Sequence, residues 1–282
     1  MAAPPSIFAI LDLPVAIKVV DIGANPIDGE PPYAPLLKAG RAEVVGFEPN
    51  LQAHAVLQQK KEPRETYLPL AIGDGKRHTL HHCHAPGMTS LLEPNPDVLA
   101  LFHGFPDWGR VVRTEAVDTV RLDDVAETAG LDLLKIDIQG AELMVFENAP
   151  RRLAEALVIQ TEVEFLEMYR GQPLYGDVER FLRAQGFMLH RFEPLVSRVV
   201  KPLVLGGDIF AGFTQLFWAD AIFVRDLTRL GGLDDGQLLR AAAILHECYK
   251  AVDLALHILL EHDRRAGTAL GPRYLQAITA RA

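Results

Sequence analysis

The chain has 282 residues, of which 49% are hydrophobic and 23% charged, and its formal net charge at pH 7 is −9. These values are ordinary for a soluble globular protein and suit one large α/β domain with or without a small extension. The net negative charge argues against sequence-independent binding to nucleic acid. Two cysteines are too few for a disulfide framework. The N-terminus lacks a signal-peptide pattern and charged residues interrupt the most apolar stretch, so we expect a cytoplasmic protein that does not enter a membrane.

Short apolar runs alternate with amphipathic stretches from about residue 16 to residue 227. Runs of four to eight residues predict buried strands at Ala16–Ile22, Glu43–Phe47, Tyr67–Ile72, Leu133–Ile138 and Ala156–Val163. Candidate helices lie between them or shortly after them, at Tyr33–Ala39, Leu51–Lys60, Leu122–Ala129, Ala141–Asn148 and Gly176–Gln185. This alternation predicts an open, doubly wound α/β sheet.

The pattern changes after Gly186. Phe187–Phe192 and Leu216–Arg225 both have strand character, with no clear helix between them. Two strands without a crossover helix usually pair antiparallel, so the sheet is expected to end in a hairpin-like pair. The long connection over residues 193–215 is typical of a lid or substrate cover.

The last part of the chain is helical in composition. Asp235 to His262 predicts a helix with one apolar seam, formed by Leu238, Ala242, Leu245, Tyr249, Val252, Leu256 and Leu259. The seam can pack on the chain's own sheet or form a homodimer contact, and the sequence leaves both open. A short helix is expected over Arg273–Arg281. The predicted organisation is an N-terminal segment (1–15), a main domain (16–228) and a helical extension (229–282).

Two acidic residues close neighbouring predicted strands. Asp21 ends the first strand, where Gly23 lets the chain turn sharply, and Glu48 follows the second strand. Ligands of open α/β sheets bind at this edge. A carboxylate at Asp21 suits the sulfonium and amino group of S-adenosylmethionine (SAM) and would repel a pyrophosphate, whereas Glu48 can accept hydrogen bonds from ribose hydroxyls. Alternatively, Glu48 only meets the dipole of the following helix.

Further acidic residues follow the later strands. Asp74 comes after the third strand, where the adenine of such a ligand is expected. Asp137 and Glu142 come at the end of the fourth strand, and Glu162 ends the fifth, so these carboxylates are expected at the same pocket. Glu162 and Glu164 should face one side of their strand.

Five motifs in this order resemble the FkbM family of SAM-dependent methyltransferases. They are DIGAN (21–25), GFEPN (46–50), Thr89-Ser90-Leu91, Arg121-Leu122-Asp123-Asp124 and KIDIQGAE (135–142). The resemblance covers about residues 19–192. It implies a class I, Rossmann-like methyltransferase fold with a seven-stranded sheet, mostly parallel with an antiparallel last strand. It also implies O-methylation of a sugar or secondary metabolite.

The resemblance also suggests which residues hold the cofactor. Asp21, Gly23 and Asn25 would line the methionine end of SAM, and Glu48, with Pro49 beside it, would hold the ribose. The chain departs from the family at two places. Residues 26–32 replace a short glycine turn with a proline-containing insertion, and Gln139 stands where the fourth motif commonly has Glu.

Methyl transfer to a hydroxyl needs positioning and benefits from a general base. Asp137 is the first candidate, Glu162 the second and His190 the third, each of them equally open to a purely structural role. The histidines between residues 78 and 84 lack the spacing of a strong metal motif, so no metal site is predicted. Asp137 nevertheless leaves open a Mg²⁺ held between carboxylates. The expected partner is a small-molecule or sugar hydroxyl acceptor.

Two other functions fit parts of the sequence. An NAD-dependent oxidoreductase should have Gly-x-Gly-x-x-Gly after the first strand, and here only Gly23 matches that pattern. A non-catalytic module that binds SAM, or nothing, and acts through its C-terminal helix would fit the altered turn after Asn25.

Overall fold

The computed structural model describes residues 5–13, 15–25 and 29–280. Within these residues the strands are β1 (Ile17–Ile22), β2 (Ala42–Phe47), β3 (Glu65–Leu68), β4 (Ala71–Ile72), β5 (Arg77–Cys83), β6 (Val111–Val120), β7 (Leu133–Ile136), β8 (Val158–Glu164), β9 (Phe187–Arg198) and β10 (Gln215–Arg225). The α-helices are α1 (Ile7–Leu11), α2 (Ala34–Lys38), α3 (Leu51–Lys60), α4 (Pro96–Leu99), α5 (Phe105–Trp108), α6 (Glu142–Glu147), α7 (Pro150–Glu155), α8 (Tyr175–Ala184), α9 (Asp235–Tyr249), α10 (Val252–Ala266) and α11 (Leu270–Thr279).

Seven of these strands form the main sheet, in the order β3-β2-β1-β7-β8-β10-β9. Neighbouring strands pair parallel from β3 to β8, whereas β10 pairs antiparallel with both β8 and β9. The chain passes from β9 to β10 without a crossover helix, which is why β10 runs in the opposite direction. The predicted doubly wound sheet with an antiparallel last strand is therefore confirmed.

Helices cover both faces of this sheet, as a doubly wound fold requires. One core is formed between the sheet and α6, α7 and α8, with Val145, Leu153 and Leu182 fully buried. The other lies between the sheet and the terminal helices, and it contains Ile7 of α1 and Leu238 of α9. The N-terminal segment and the C-terminal extension thus share one core with β1 and β2. None of the helices that the structure describes is long and apolar enough to cross a membrane.

The predicted strand Tyr67–Ile72 is in fact two short strands in different sheets. β3 ends at Leu68 beside β2, and β4 begins at Ala71 beside β6 in a small sheet of order β4-β6-β5. Pro69 lies between them. Proline has no N–H to donate to a sheet, so the apolar run cannot continue as one strand.

The predicted helix Leu122–Ala129 is also wrong. The segment forms two short 3-10 turns, Leu122–Asp124 and Ala126–Thr128. Side chains compete with helical hydrogen bonding here. The Thr128 hydroxyl donates to the carbonyl of Val125 at 2.7 Å, and the Asp123 carboxylate accepts from the backbone N–H groups of Arg151 and Arg152 at the start of α7.

The predicted helix from Asp235 to His262 is interrupted. Lys250 adopts a left-handed conformation (φ 55°) that ends α9, and α10 begins at Val252. The seam residues Leu238, Leu245 and Leu259 are buried in the chain's own core. The seam therefore packs on the chain's own sheet, which is one of the two arrangements that the sequence left open, and a homodimer contact through the 235–262 segment stays a prediction. The final short helix is α11, and Arg281 of its predicted range lies outside the described residues.

Candidate active site

A cavity of about 540 Å³ lies on the side of the sheet covered by α2 and α9. Its floor is a row of sheet residues in register, because Asp21 of β1 pairs with Lys135 of β7, and Lys135 pairs with Gln160 of β8. The walls combine the turn after β1, residues of α3, and the end of α9. The lining is Asp21, Ala24, Asn25, Gly29, Glu30, Pro31, Pro32, Tyr33, Leu57, Lys60, Tyr67, Lys135, Asp137, Gln160, Glu193, Asp220, Ile222, Cys248 and Tyr249.

Asp21 is buried at the end of β1 and already has two partners. The Tyr33 hydroxyl donates to its Oδ2 at 2.7 Å, and the Lys135 ammonium lies 3.3 Å from its Oδ1. Burial and the Asp21 charge raise the pKa of Tyr33 far above its ordinary value, so the phenol stays protonated as a donor. The negative charge of Asp21 is thus partly balanced by Lys135, to which the sequence analysis assigned no role.

Gly23 follows β1 with φ +82°. A Cβ at this position would lie 2.0 Å from the backbone oxygen of Asp137. Glycine is therefore required by the close approach of the chain after β1 to the chain after β7, and not only by a ligand. This contact fixes Asp137 relative to the turn that carries Asn25.

Among the residues that the structure describes, the other predicted cofactor residues lie outside the cavity lining. Glu48 is buried after β2, and its carboxylate accepts the N–H of Asn50 at 2.7 Å, next to Pro49 and the start of α3. Asp74 lies in the turn before β5. Its pKa is lowered by His78, whose ring nitrogen lies 2.7 Å from the Asp74 carboxylate, and by Lys76.

Asp137 belongs to a cluster of carboxylates after β7 and on β8. It lines the cavity, while Glu142 and Glu162 are buried behind it. One oxygen of each of these three carboxylates lies within 4.8 Å of the others. Glu164 is buried two residues after Glu162.

Gln139 joins two members of this cluster. Its Nε2 donates to Asp137 Oδ1 at 2.9 Å and to Glu162 Oε2 at 2.7 Å, and its Oε1 accepts from the Tyr169 hydroxyl at 3.1 Å. Ser90, from the third motif, donates to the Gln139 carbonyl at 2.7 Å. A glutamate at this position could not donate to both carboxylates, which gives the departure from the family pattern a structural meaning.

The buried carboxyls hold their protons more tightly than free ones. Burial, followed by the neighbouring charge of Asp137, raises the pKa of Glu142 to about 7. Burial and the charges of Asp137 and Glu164 raise the pKa of Glu162 well above its ordinary value. The pKa of Glu164 is raised likewise, by burial and by Glu142 and Asp137. At neutral pH the cluster therefore shares protons instead of carrying its full negative charge.

His190 is not brought to this cluster. It lies on β9, and the charged groups that act on it are Arg191, Asp253 and Glu193. Burial and Arg191 lower its pKa. Within the part of the chain that the structure describes, it is also outside the cavity lining.

The sequence analysis missed several residues of the site. Tyr33, Cys248 and Tyr249 line the cavity, the last two from the C-terminal extension, and the Tyr249 hydroxyl donates to Gln160 at 3.1 Å. No local pattern identifies these residues. Lys135 could have been identified from the sequence, because it is a charged residue inside an otherwise apolar strand and is the first residue of the KIDIQGAE motif.

Comparison with known proteins gives the chemistry associated with this fold. The model of the FkbM methyltransferase domain matches residues 21–189, more than half of the chain. The 2-O-methyltransferase NoeI of Sinorhizobium fredii (strain NBRC 101917 / NGR234) is 29% identical over 174 residues, which are 59% of this chain and 70% of that protein.

Two solved methyltransferases show a more distant likeness. The magnesium protoporphyrin IX methyltransferase of Synechocystis PCC 6803, solved with bound SAM, has a TM-score of 0.38 and 11% identity over 75% of this chain and 71% of that chain. The 23S rRNA methyltransferase ErmE has a TM-score of 0.35 and 15% identity over 97% of this chain and 95% of that chain. Likenesses this distant say nothing about the substrate. The match over residues 21–189 settles the family, and the chain belongs to the FkbM family of SAM-dependent methyltransferases.

Proposed function

We propose that this chain transfers the methyl group of SAM to a hydroxyl of a sugar or another small molecule. The observation that carries the proposal is the position of Asp137, which lines a cavity of about 540 Å³ together with Asp21 and Asn25 at the carboxyl ends of β7 and β1. In open α/β sheets this edge binds the ligand. The name of the relative NoeI, a 2-O-methyltransferase, supports a hydroxyl acceptor.

In this proposal Asp21, Gly23 and Asn25 hold the methionine end of SAM, Glu48 and Pro49 lie at the ribose, and Asp74 lies near the adenine. When bound there, SAM would supply an electrophilic methyl group to the acceptor oxygen. The protein's part is to hold the two reactants in position and to exclude water.

Asp137 is the proposed general base. It is the member of the carboxylate cluster that lines the cavity, and Gln139 fixes the orientation of its carboxylate. Burial and neighbouring charges raise the pKa of Glu162, and Gln139 joins its carboxylate to that of Asp137, so the proposed part of Glu162 is to support Asp137. His190, which lies among other charged groups, stays the third candidate.

Calorimetry with SAM tests cofactor binding. At a concentration a hundredfold above its dissociation constant, SAM should stabilise the folded chain by about 2.7 kcal/mol, whereas NAD should give no stabilisation. Binding of SAM without methyl transfer to any hydroxylated sugar or secondary metabolite would favour the alternative, a non-catalytic SAM-binding module.

Substitution of the proposed base tests the chemistry. Asp137→Asn should keep SAM affinity and lower turnover by at least about 10²-fold, the usual contribution of general base catalysis. Asp220→Asn is the matched control, because Asp220 lines the same cavity from β10 and accepts a hydrogen bond from Gln160. Turnover of Asp137→Asn within about threefold of the wild-type value would exclude Asp137 as the base.

A further inference from the structure

We propose that Lys135 binds the carboxylate at the methionine end of SAM, beside the position where Asp21 receives the amino group. The inference rests on the proposed function and adds a cofactor-binding residue to it. Its basis is a carboxylate and an ammonium that stand together at the floor of the cavity, because the methionine end of SAM carries the same two charges on a single carbon atom.

The register of the sheet sets these two charges side by side. Asp21 of β1 pairs with Lys135 of β7 on one side and with Gly46 of β2 on the other. Register partners on neighbouring parallel strands point to the same face of the sheet, and both side chains line the cavity. The distance from Lys135 Nζ to Asp21 Oδ1 is 3.3 Å.

The other members of this row are neutral. It continues to Tyr67 of β3 on one side, and to Gln160 of β8 and Ile222 of β10 on the other. The side chains of Asp21 and Lys135 are only 4% and 13% exposed. Removing two charges from water generally costs as much as their attraction returns, so a pair of apolar residues would stabilise the sheet at least as well. A ligand that needs both charges explains why the pair is here.

Asp21 keeps one carboxylate oxygen for such a ligand. Its Oδ2 accepts the hydroxyl of Tyr33 at 2.7 Å. Its Oδ1 is buried and has no partner in hydrogen-bond geometry among the residues that the structure describes, since Lys135 lies at ion-pair distance without the alignment of a hydrogen bond. A buried carboxylate oxygen without a donor is unfavourable, and the ammonium of a ligand supplies that donor.

An ammonium at Asp21 would stand close to the ammonium of Lys135, and the two like charges would repel. A carboxylate on the same ligand removes this repulsion. In an α-amino acid the bond lengths of about 1.46 and 1.52 Å and the angle of about 111° place the nitrogen about 2.5 Å from the carboxyl carbon. This separation is close to the 3.3 Å between Lys135 Nζ and Asp21 Oδ1, so one amino-acid head group can match both charges.

The degree of exposure favours Lys135 over Lys60, the other cationic residue in the described part of the lining. Lys60 lies on α3 and is exposed. Ion pairs of exposed side chains contribute little, because water and salt screen them. Lys135 is mostly buried, and a charge-assisted hydrogen bond is stronger where water is excluded.

Calorimetric titration with two ligands tests the inference. Decarboxylated SAM keeps the adenosine, the sulfonium and the amino group of SAM and lacks only the carboxylate. The wild-type chain should bind SAM at least about tenfold more tightly than decarboxylated SAM, which is the lower end of what a hydrogen bond to a charged group contributes. In Lys135→Met the two affinities should differ by no more than about threefold, because the partner of the carboxylate is gone.

The ratio of the two affinities separates recognition of the carboxylate from a purely structural role. Loss of the Lys135 charge also changes the balance of charge at Asp21, but this change acts on both ligands alike. Lys135→Arg keeps the positive charge and should keep a preference for SAM. Lys60→Met should keep the preference of the wild-type chain. A preference that is lost in Lys60→Met and kept in Lys135→Met would assign the carboxylate to Lys60 and overturn the inference.

Circular dichroism shows whether each variant folds, and Lys135→Gln replaces Lys135→Met if the latter does not. An unchanged preference in the folded variant would overturn the inference. So would equal affinities of the wild-type chain for the two ligands, a result that needs no variant. A chain that binds both ligands equally loses only the role of Lys135, whereas a chain that binds neither loses the proposed function.

Discussion

Position 23 requires glycine for two reasons. Its backbone has a positive φ, and a Cβ there would lie 2.0 Å from the carbonyl oxygen of Asp137. Gly23→Ala should therefore destabilise the fold more than Gly130→Ala. Gly130 also has positive φ (77°), but a Cβ there would meet nothing within 4 Å, so Gly130→Ala should cost only the conformational term of about 1–2 kcal/mol. Denaturant unfolding of both variants measures the difference. Equal losses would contradict the close approach of the two chain segments.

The environment of His190 predicts that the free energy of unfolding depends on pH. Its pKa is lowered by burial and by Arg191, against the opposing charges of Asp253 and Glu193, so the folded state resists its protonation. In the unfolded chain the pKa of this histidine is about 6.5. As the pH falls below that value, the unfolded state binds the proton more readily than the folded state, so the free energy of unfolding decreases.

The variant His190→Gln should lose less stability between about pH 6.5 and pH 5 than the wild-type chain, measured by urea unfolding at each pH. Some dependence should remain, because burial also lowers the pKa of His246. Identical pH profiles for the variant and the wild-type chain would show that His190 does not resist protonation in the folded state.

At the scale of elements, the break between α9 and α10 depends on Lys250 in a left-handed conformation (φ 55°). This conformation costs an ordinary residue about 1–2 kcal/mol, and glycine avoids that cost. Lys250→Gly should raise the free energy of unfolding by about 0.5–1 kcal/mol after the extra entropy of glycine in the unfolded chain is subtracted.

Lys61→Gly is the matched control for that substitution. Lys61 also caps a helix, α3, but with φ −61°, where glycine brings no relief. This variant should be neutral or less stable in the same thermal and chemical unfolding experiments. Stabilisation of both variants to the same extent would contradict the left-handed cap at Lys250.

At the scale of the whole molecule, the C-terminal helices belong to the core that supports the sheet. Leu259 is fully buried in this core, whereas its neighbour Leu260 is 49% exposed. Leu259→Ala should cost about 2–5 kcal/mol, the usual range for a buried leucine. Leu260→Ala should cost far less, and a single unfolding transition followed by fluorescence and circular dichroism checks both. Equal effects would mean that the extension is not packed as described.

The sequence predicted the fold more completely than it predicted the site. Strand–helix alternation and the order of the motifs were sufficient for the doubly wound sheet, because burial on two faces leaves a local periodic pattern. The same reasoning failed at Tyr67–Ile72 and Leu122–Ala129, where Pro69 and the side chain of Thr128 override apolar character. It failed again at Lys250, since the seam of Leu238 to Leu259 continues across a break that only the backbone conformation shows.

The sequence by itself determined the fold class, the family, and the placement of Asp21, Glu48 and Asp137 at the ends of strands, because these follow from neighbours along the chain. Only the tertiary structure decided that Lys135 and Tyr33 hold Asp21 and that Gln139 joins the carboxylates of Asp137 and Glu162. It also placed Tyr249 of the extension in the cavity wall. These contacts join residues that are not neighbours in the chain, and their distances and shared burial exist only once the sheet and its covering helices have packed.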